Sequence, residues 1–156
     1  MTHHTITFTL NGTQEIHDVR SNQTLLRFLR EQLGVIGVKS GCDTGECGAC
    51  TVLLNGEPVN ACLVLAVEID GGEVITVEGL SKDDHLDPLQ QAFIDHNGIQ
   101  CGFCTPGILL SAKALLSRNP HPSRDQIKDA LRGNLCRCTG YVRIIDAVEA
   151  AAKEGS

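Results

Sequence analysis

The eight cysteines of this 156-residue chain fall into two sets of four, and nothing else in the sequence restricts its fold as tightly. The first set is Cys42, Cys47, Cys50 and Cys62, spaced C-x4-C-x2-C with a fourth member beyond a short hairpin. The second is Cys101, Cys104, Cys136 and Cys138, a C-x2-C pair followed much later by a C-x-C pair. Disulfides, catalytic thiols, zinc sites and iron–sulfur clusters all use grouped cysteines. The N-terminus, "MTHHTITFTLNG", has no basic segment leading into an apolar one and no twin arginine. That predicts a cytoplasmic protein. Cytosolic thiols stay reduced, which disfavours disulfides. No nucleophile–base motif is present, so no substrate chemistry is expected on this chain.

Spacing separates the metals. C-x4-C-x2-C with a distant fourth cysteine is the plant-type [2Fe–2S] pattern. Structural zinc sites more often use two short cysteine pairs. Within "SGCDTGECGAC", Gly41, Gly45 and Gly48 let the backbone wrap closely and adopt positive φ. Such a loop can aim several N–H groups at cluster sulfurs, and those hydrogen bonds tune the potential. The second set is less decisive. Thr105 and Thr139 directly follow cysteines and can cap helices, and Pro106 suits a first helical position. Two helix N-termini would then face one site, which suits an anion such as an oxidised two-iron cluster with four thiolates. C-x-C is unusual for zinc, but this set alone leaves zinc open.

The formal net charge of −6 argues against nucleic acid as a partner. Two clusters would take the charge to about −10, counting each ligand thiol as neutral beforehand. No apolar run approaches the length of a membrane span.

Periodicity divides the chain at residues 1–79 and 80–156. In the first part, Thr5–Leu10 and Gln14–Val19 alternate around Asn11-Gly12, and Thr51–Asn60 contains a second Asn-Gly turn. Both read as hairpins. Leu25, Leu29 and Leu33 mark a helix ending at Gly34. "LVLAVEI" and "EVITVEGL" read as further strands. "SKDDHLDP" reads as a linker. The second part predicts four helices. Asp87 with Gln90 and Ser123 with Gln126 form capping boxes for the first and third. The others start near Pro106 and near Tyr141. Expected buried faces are Leu86, Leu89 and Phe93; Ile108, Ala112, Leu115 and Leu116; Ile127, Ala130 and Leu131; and Ile145, Val148 and Ala152.

"GCDTGECGACTV", "QCGFCTPG" and "GNLCRCTGY" together resemble the small iron–sulfur subunit of the molybdenum hydroxylases, the family of xanthine dehydrogenase, aldehyde oxidoreductase and aerobic carbon monoxide dehydrogenase. The resemblance spans residues 5–152. It implies an α+β fold, with a plant-type ferredoxin-like β-grasp domain followed by an all-α four-helix-bundle domain, each holding one [2Fe–2S] cluster. It implies a large subunit with molybdenum on a pterin dinucleotide and a medium subunit with FAD, in a heterotrimer or a dimer of heterotrimers. It further implies that the cluster of Cys101, Cys104, Cys136 and Cys138 lies nearer the pterin. The cluster of Cys42, Cys47, Cys50 and Cys62 then lies nearer the flavin. Gln100 and Cys138 match family positions that approach the pterin.

The function expected is relay of single electrons between those two subunits. A free two-cluster ferredoxin and a zinc-stabilised binding module are the alternatives. Arg137, between two cysteines, either offsets cluster charge or is a surface residue in an interface. Asp43 and Glu46 read as solvated loop charges. The six histidines (His3, His4, His17, His85, His96 and His121) form no ligand-spaced set.

Overall fold

The computed structural model describes residues 2–155. Strands β1 (His3–Leu10) and β2 (Thr13–Arg20) pair antiparallel, with Leu10 opposite Thr13. Asn11 and Gly12 both take positive φ, 50° and 87°, as a two-residue hairpin turn of matching twist requires. The chain then makes one turn of helix α1 (Leu25–Arg27), which widens into a π-turn over Phe28–Gln32. The π-turn ends where the Leu33 N–H donates to the Phe28 carbonyl. Leu25, Leu26, Phe28 and Leu29 are all buried against the sheet. The helix expected from the leucine spacing is therefore present, but shorter and wider than a regular α-helix.

Strands β3 (Thr51–Leu54) and β4 (Glu57–Asn60) form the second hairpin, again over an Asn-Gly turn with positive φ at Asn55 and Gly56. Strand β5 (Glu73–Ile75) lies between the hairpins, parallel to β1 and antiparallel to β3. The sheet order is β2-β1-β5-β3-β4. Two expected strands are corrected. "LVLAVEI" yields a 3-10 turn over Ala66–Ile69, because the Glu68 carboxylate accepts the Leu65 N–H at 2.7 Å and closes a local turn. "EVITVEGL" stays extended only over its first three residues before a 3-10 turn at Val77–Gly79. A short apolar run does not by itself separate strand from turn.

Four helices follow: α2 (Pro88–Asp95), α3 (Thr105–Arg118), α4 (Arg124–Ala130) and α5 (Val142–Glu154). Both capping boxes form. Asp87 accepts from Leu89 N while Gln90 accepts from Asp87 N, and Ser123 and Gln126 repeat the exchange. Leu86 is exposed, so the buried face of α2 is Leu89, Ala92 and Phe93. Ala152 lies at the edge of the α5 stripe, which is built on Ile144, Ile145, Ala147, Val148 and Ala151. Helix α3 is buried over most of its circumference, because it packs against β3 on one side and α2 and α4 on others.

Two cores result. One lies between the sheet and α1, around Phe8, Phe28, Leu29, Val52 and Ile69. The other lies among the helices, around Leu89, Phe93, Ile108, Leu110, Ile127 and Ile144. Strand β3 joins them. Val52 faces the first core and Leu53 the second, as alternating strand side chains must.

Candidate metal centres

Cys42, Cys47 and Cys50 lie in the loop between the π-turn and β3, and Cys62 follows the end of β4. The loop is closed at its base, where Lys39 N donates to the Ala49 carbonyl at 3.2 Å. Ala61 N donates to the Cys50 carbonyl, and the Asn60 amide donates to the Gly45 carbonyl at 3.0 Å. These bonds bring Cys62 to the three-cysteine loop, and its thiol contacts that of Cys50. Gly41 is needed here. A Cβ at that position would meet Cys47 Sγ at 2.7 Å.

The N–H groups of Thr44, Glu46 and Cys47 all point at Cys42 Sγ, at 3.3–3.4 Å, and the N–H of Ala49 points at Cys47 Sγ. Hydrogen bonds from the Thr44 side chain and from these backbone groups bring the Cys42 thiol down to about 6. Burial pushes the neighbouring Cys50 up to about 12. In the metal-free chain, iodoacetamide is therefore expected to label Cys42 first. Its labelling should rise through pH 6 and level off above, because the thiolate is the reactive form. Cys50 should stay nearly unlabelled at pH 8, as read by peptide mass spectrometry. Labelling of Cys50 ahead of Cys42 would contradict the amide cradle.

Cys101 and Cys104 lie between α2 and α3, and Cys136 and Cys138 between α4 and α5. Tertiary packing brings the pairs together, with Cys104 against Cys136 and Cys138 against Cys101. Burial pushes Cys104 up to about 12. Burial also opposes ionisation of Cys136, but hydrogen bonds from the Thr139 hydroxyl and backbone outweigh it and lower its pKa. The helix-capping expectation is corrected in part. Cys104 itself, not Thr105, occupies the N-cap of α3, and Thr105 is already helical. Thr139 accepts from Tyr141 N, and Tyr141, at φ 69°, begins α5. One helix N-terminus thus starts at the site, while the other is set back by the Thr139–Tyr141 turn.

Gln100 is exposed beside Cys101. Cys101, Phe103, Cys104, Leu135, Cys136, Arg137 and Cys138 line an open hollow of about 360 Å³. Phe103 and Leu135 are 47% and 59% exposed there. Arg137 is on its rim, and its side chain is exposed. Asp43 and Glu46 are exposed, and Asp43 accepts from the Ser40 hydroxyl. The histidines stay outside both cysteine sets. His17 instead packs its ring edgewise on Phe28 and bonds Glu15.

Sequence reasoning assigned no role to Asn134, and used Tyr141 only to mark the start of a helix. The Tyr141 hydroxyl accepts from Cys136 N at 2.8 Å and donates to the Asn134 carbonyl at 2.9 Å, bracing the C-x-C loop. Asn134 is buried and binds the first cysteine loop through the Gly48 carbonyl. Next to it, Leu135 N donates to the Cys47 carbonyl at 2.9 Å, so a backbone hydrogen bond joins the two cysteine loops beside the Asn134 one. Their place within "GNLCRCTGY" was the only signal in the sequence.

The donor chemistry fits two-iron clusters. Each set supplies four thiols, and in the first the backbone N–H groups already face the sulfurs. Among the described residues no three Cys, His, Asp or Glu side chains converge on a single ion. A two-iron, two-sulfide core needs its four thiolates spread around a larger body than one zinc ion.

Fold and donor sets therefore define a protein with two iron–sulfur centres, one in a ferredoxin-like sheet domain and one in a helical domain. Residues 8–85 match the 2Fe-2S iron-sulfur cluster binding domain and residues 76–149 the [2Fe-2S] binding domain. The chain is 48% identical to the nicotinate dehydrogenase small FeS subunit of Eubacterium barkeri, over 96% of this chain and 95% of that one. It is 45% identical to the aldehyde oxidoreductase iron-sulfur-binding subunit of Escherichia coli K12, over 96% and 72%. The crystal structure of quinoline 2-oxidoreductase from Pseudomonas putida 86 matches with a TM-score of 0.94 at 46% identity, over 97% of this chain and 94% of that one. The chain belongs to the family of small iron–sulfur subunits of the molybdenum hydroxylases. It is an electron-transfer subunit of an oxidoreductase complex, carries two [2Fe–2S] clusters and works with partner subunits. No described helix is long and apolar enough to cross a membrane.

Proposed function

We propose that this chain relays single electrons between a molybdenum-pterin large subunit and an FAD-bearing medium subunit, in a heterotrimer or a dimer of such heterotrimers. Cys42, Cys47, Cys50 and Cys62 hold one cluster. Cys101, Cys104, Cys136 and Cys138 hold the other. When bound, each cluster takes up and gives back one electron. The chain's own residues hold the thiolates, direct N–H groups at them and keep the two loops apart at a set spacing. Residues 1–79 form a β-grasp domain and residues 80–156 a four-helix bundle. The cytoplasm, where thiols stay reduced, is the compartment that suits these ligand sets.

The observation that carries this reading is the contrast between the two sites. Cys50 and Cys62 are buried, whereas Cys101 and Cys138 are exposed beside an apolar rim of Phe103 and Leu135. An exposed apolar rim around redox ligands suits permanent burial against a partner. Cys138 lines that hollow and Gln100 is exposed next to Cys101, and these are the two residues we assign to the pterin contact. A glutamine can both donate and accept there.

Purification at native expression is expected to yield this chain with a molybdenum chain and a flavin chain. In that complex Gln100→Ala should keep both cluster signals and the wild-type melting temperature. Substrate-driven reduction of the clusters, read by stopped-flow absorbance, should slow by about tenfold or more, as small misplacements at a contact do. Reduction by an external reagent should be unchanged. Unaltered substrate-driven reduction in the assembled variant would remove Gln100 from the contact, and a stable lone chain carrying both clusters would remove the assembly.

A further inference from the structure

Asn134 stands where α3, the first cysteine loop, β3 and the C-x-C loop meet. Its side-chain oxygen accepts from the Ser111 hydroxyl at 2.7 Å. Its side-chain nitrogen donates to the Gly48 carbonyl at 3.1 Å and to the Thr51 hydroxyl at 3.2 Å. Its backbone carbonyl accepts from the Tyr141 hydroxyl. The residue is only 4% exposed, so none of these bonds has water as a ready substitute. The Gly48 carbonyl can only accept, which fixes the orientation of the amide.

The backbones around it are already in contact. A Cβ on Gly48 would come within 2.0 Å of the Gly133 carbonyl, and one on Gly107 within 2.4 Å of the Gly48 carbonyl. Gly48 lies between Cys47 and Cys50, and Asn134 lies two residues before Cys136. The amide therefore ties a loop of one cysteine set to a loop of the other. The adjacent bond from Leu135 N to the Cys47 carbonyl completes a backbone route from Cys47 to Cys136 with a single non-covalent step.

We propose that Asn134 is a positioning residue for electron exchange between the two clusters. Its amide holds the two cluster loops at one separation and keeps the Leu135–Cys47 hydrogen bond made. The proposal rests on the two-cluster reading. Electronic coupling between redox centres falls steeply when a bonded route is replaced by a gap. A loop pair free to drift would exchange electrons more slowly and at a spread of rates. No electron is gained or lost by Asn134 itself.

The test is electron paramagnetic resonance on the fully reduced native complex, in which two neighbouring paramagnetic clusters split each other's signals. That splitting falls with the cube of the distance, so it reports separation directly. Asn134→Ala is expected to keep both clusters, hence four irons per chain. Its splitting should shrink and broaden, and the rate at which one cluster re-oxidises the other should fall by about tenfold or more. Wild-type splitting in a fully loaded Asn134→Ala complex would overturn the proposal, even if its melting temperature fell. If that variant does not load iron, Ser111→Ala is read in the same way, since it leaves the amide in place but frees one end. A broadened splitting there supports the role, and a wild-type splitting overturns it. Fewer than four irons in the unsubstituted protein would overturn the two-cluster reading first, before any variant is compared.

Discussion

Cys47→Ser is expected to abolish one [2Fe–2S] signal and Cys104→Ser the other, each leaving a single cluster per chain. A serine hydroxyl is a far weaker acid than a thiol and does not supply the thiolate that iron requires. The two residues lie in loops supported by different elements. Cys47 belongs to the loop ahead of β3, with the Ala49 N–H directed at its sulfur. Cys104 occupies the N-cap position of α3 and contacts Cys136. The bonds that join the loops, from Leu135 N to the Cys47 carbonyl and from the Asn134 amide to the Gly48 carbonyl, involve no cysteine side chain. Loss of a thiol should therefore act locally. Iron content should halve in each variant, and their spectra should be complementary. Loss of the same signal in both would mean that the cysteines are wrongly divided.

Gly48→Ala should do more damage than any other glycine change in the cysteine loops, through the domain contact. Gly48 has φ +72°, a conformation that costs an alanine roughly 1–2 kcal/mol. Its new methyl would also meet the Gly133 carbonyl at 2.0 Å and the Asn134 amide at 2.9 Å. Neither is the free end of a flexible chain. Overpacking of this kind adds about 1–3 kcal/mol. The helical and sheet domains should separate slightly, with a clearly lower melting temperature. Gly12→Ala gives the contrast, since that glycine also has positive φ but nothing within 4 Å of its added Cβ. Similar losses at both positions would show that backbone conformation, and not the domain contact, is what Gly48 provides.

These two glycines mark the limit of what the sequence discloses. Asn11-Gly12 and Asn55-Gly56 were legible as turns, because a two-residue hairpin demands positive φ whatever surrounds it. The capping boxes at Asp87 and Ser123 were legible for the same reason, since each closes within four residues. Leu63–Ile69 was misread as a strand, because the bond from Leu65 N to Glu68 competes locally with sheet pairing and hydropathy does not record it. Leu86 was expected inside, but it precedes the cap of α2 and points to solvent.

The spacing of the first cysteine set pointed to a two-iron cluster. The second set alone left zinc open, and it read as a cluster through the resemblance carried by the three cysteine motifs together. Cysteines with four, two or one residues between them can share one small body if the chain wraps around it, and within each short run that constraint is local. The change from strand-like to helical periodicity after about residue 79 suggested the division of the chain in two. Only the tertiary structure decided how the halves meet. It placed Leu53 in the helical core while Val52 faced the other way, and set Gly48 against Gly107 and Gly133. It enclosed the Asn134 amide between residues 86 and 23 positions away in the chain. Such contacts depend on the packing of two cores along β3, and packing between distant segments leaves no period in a sequence.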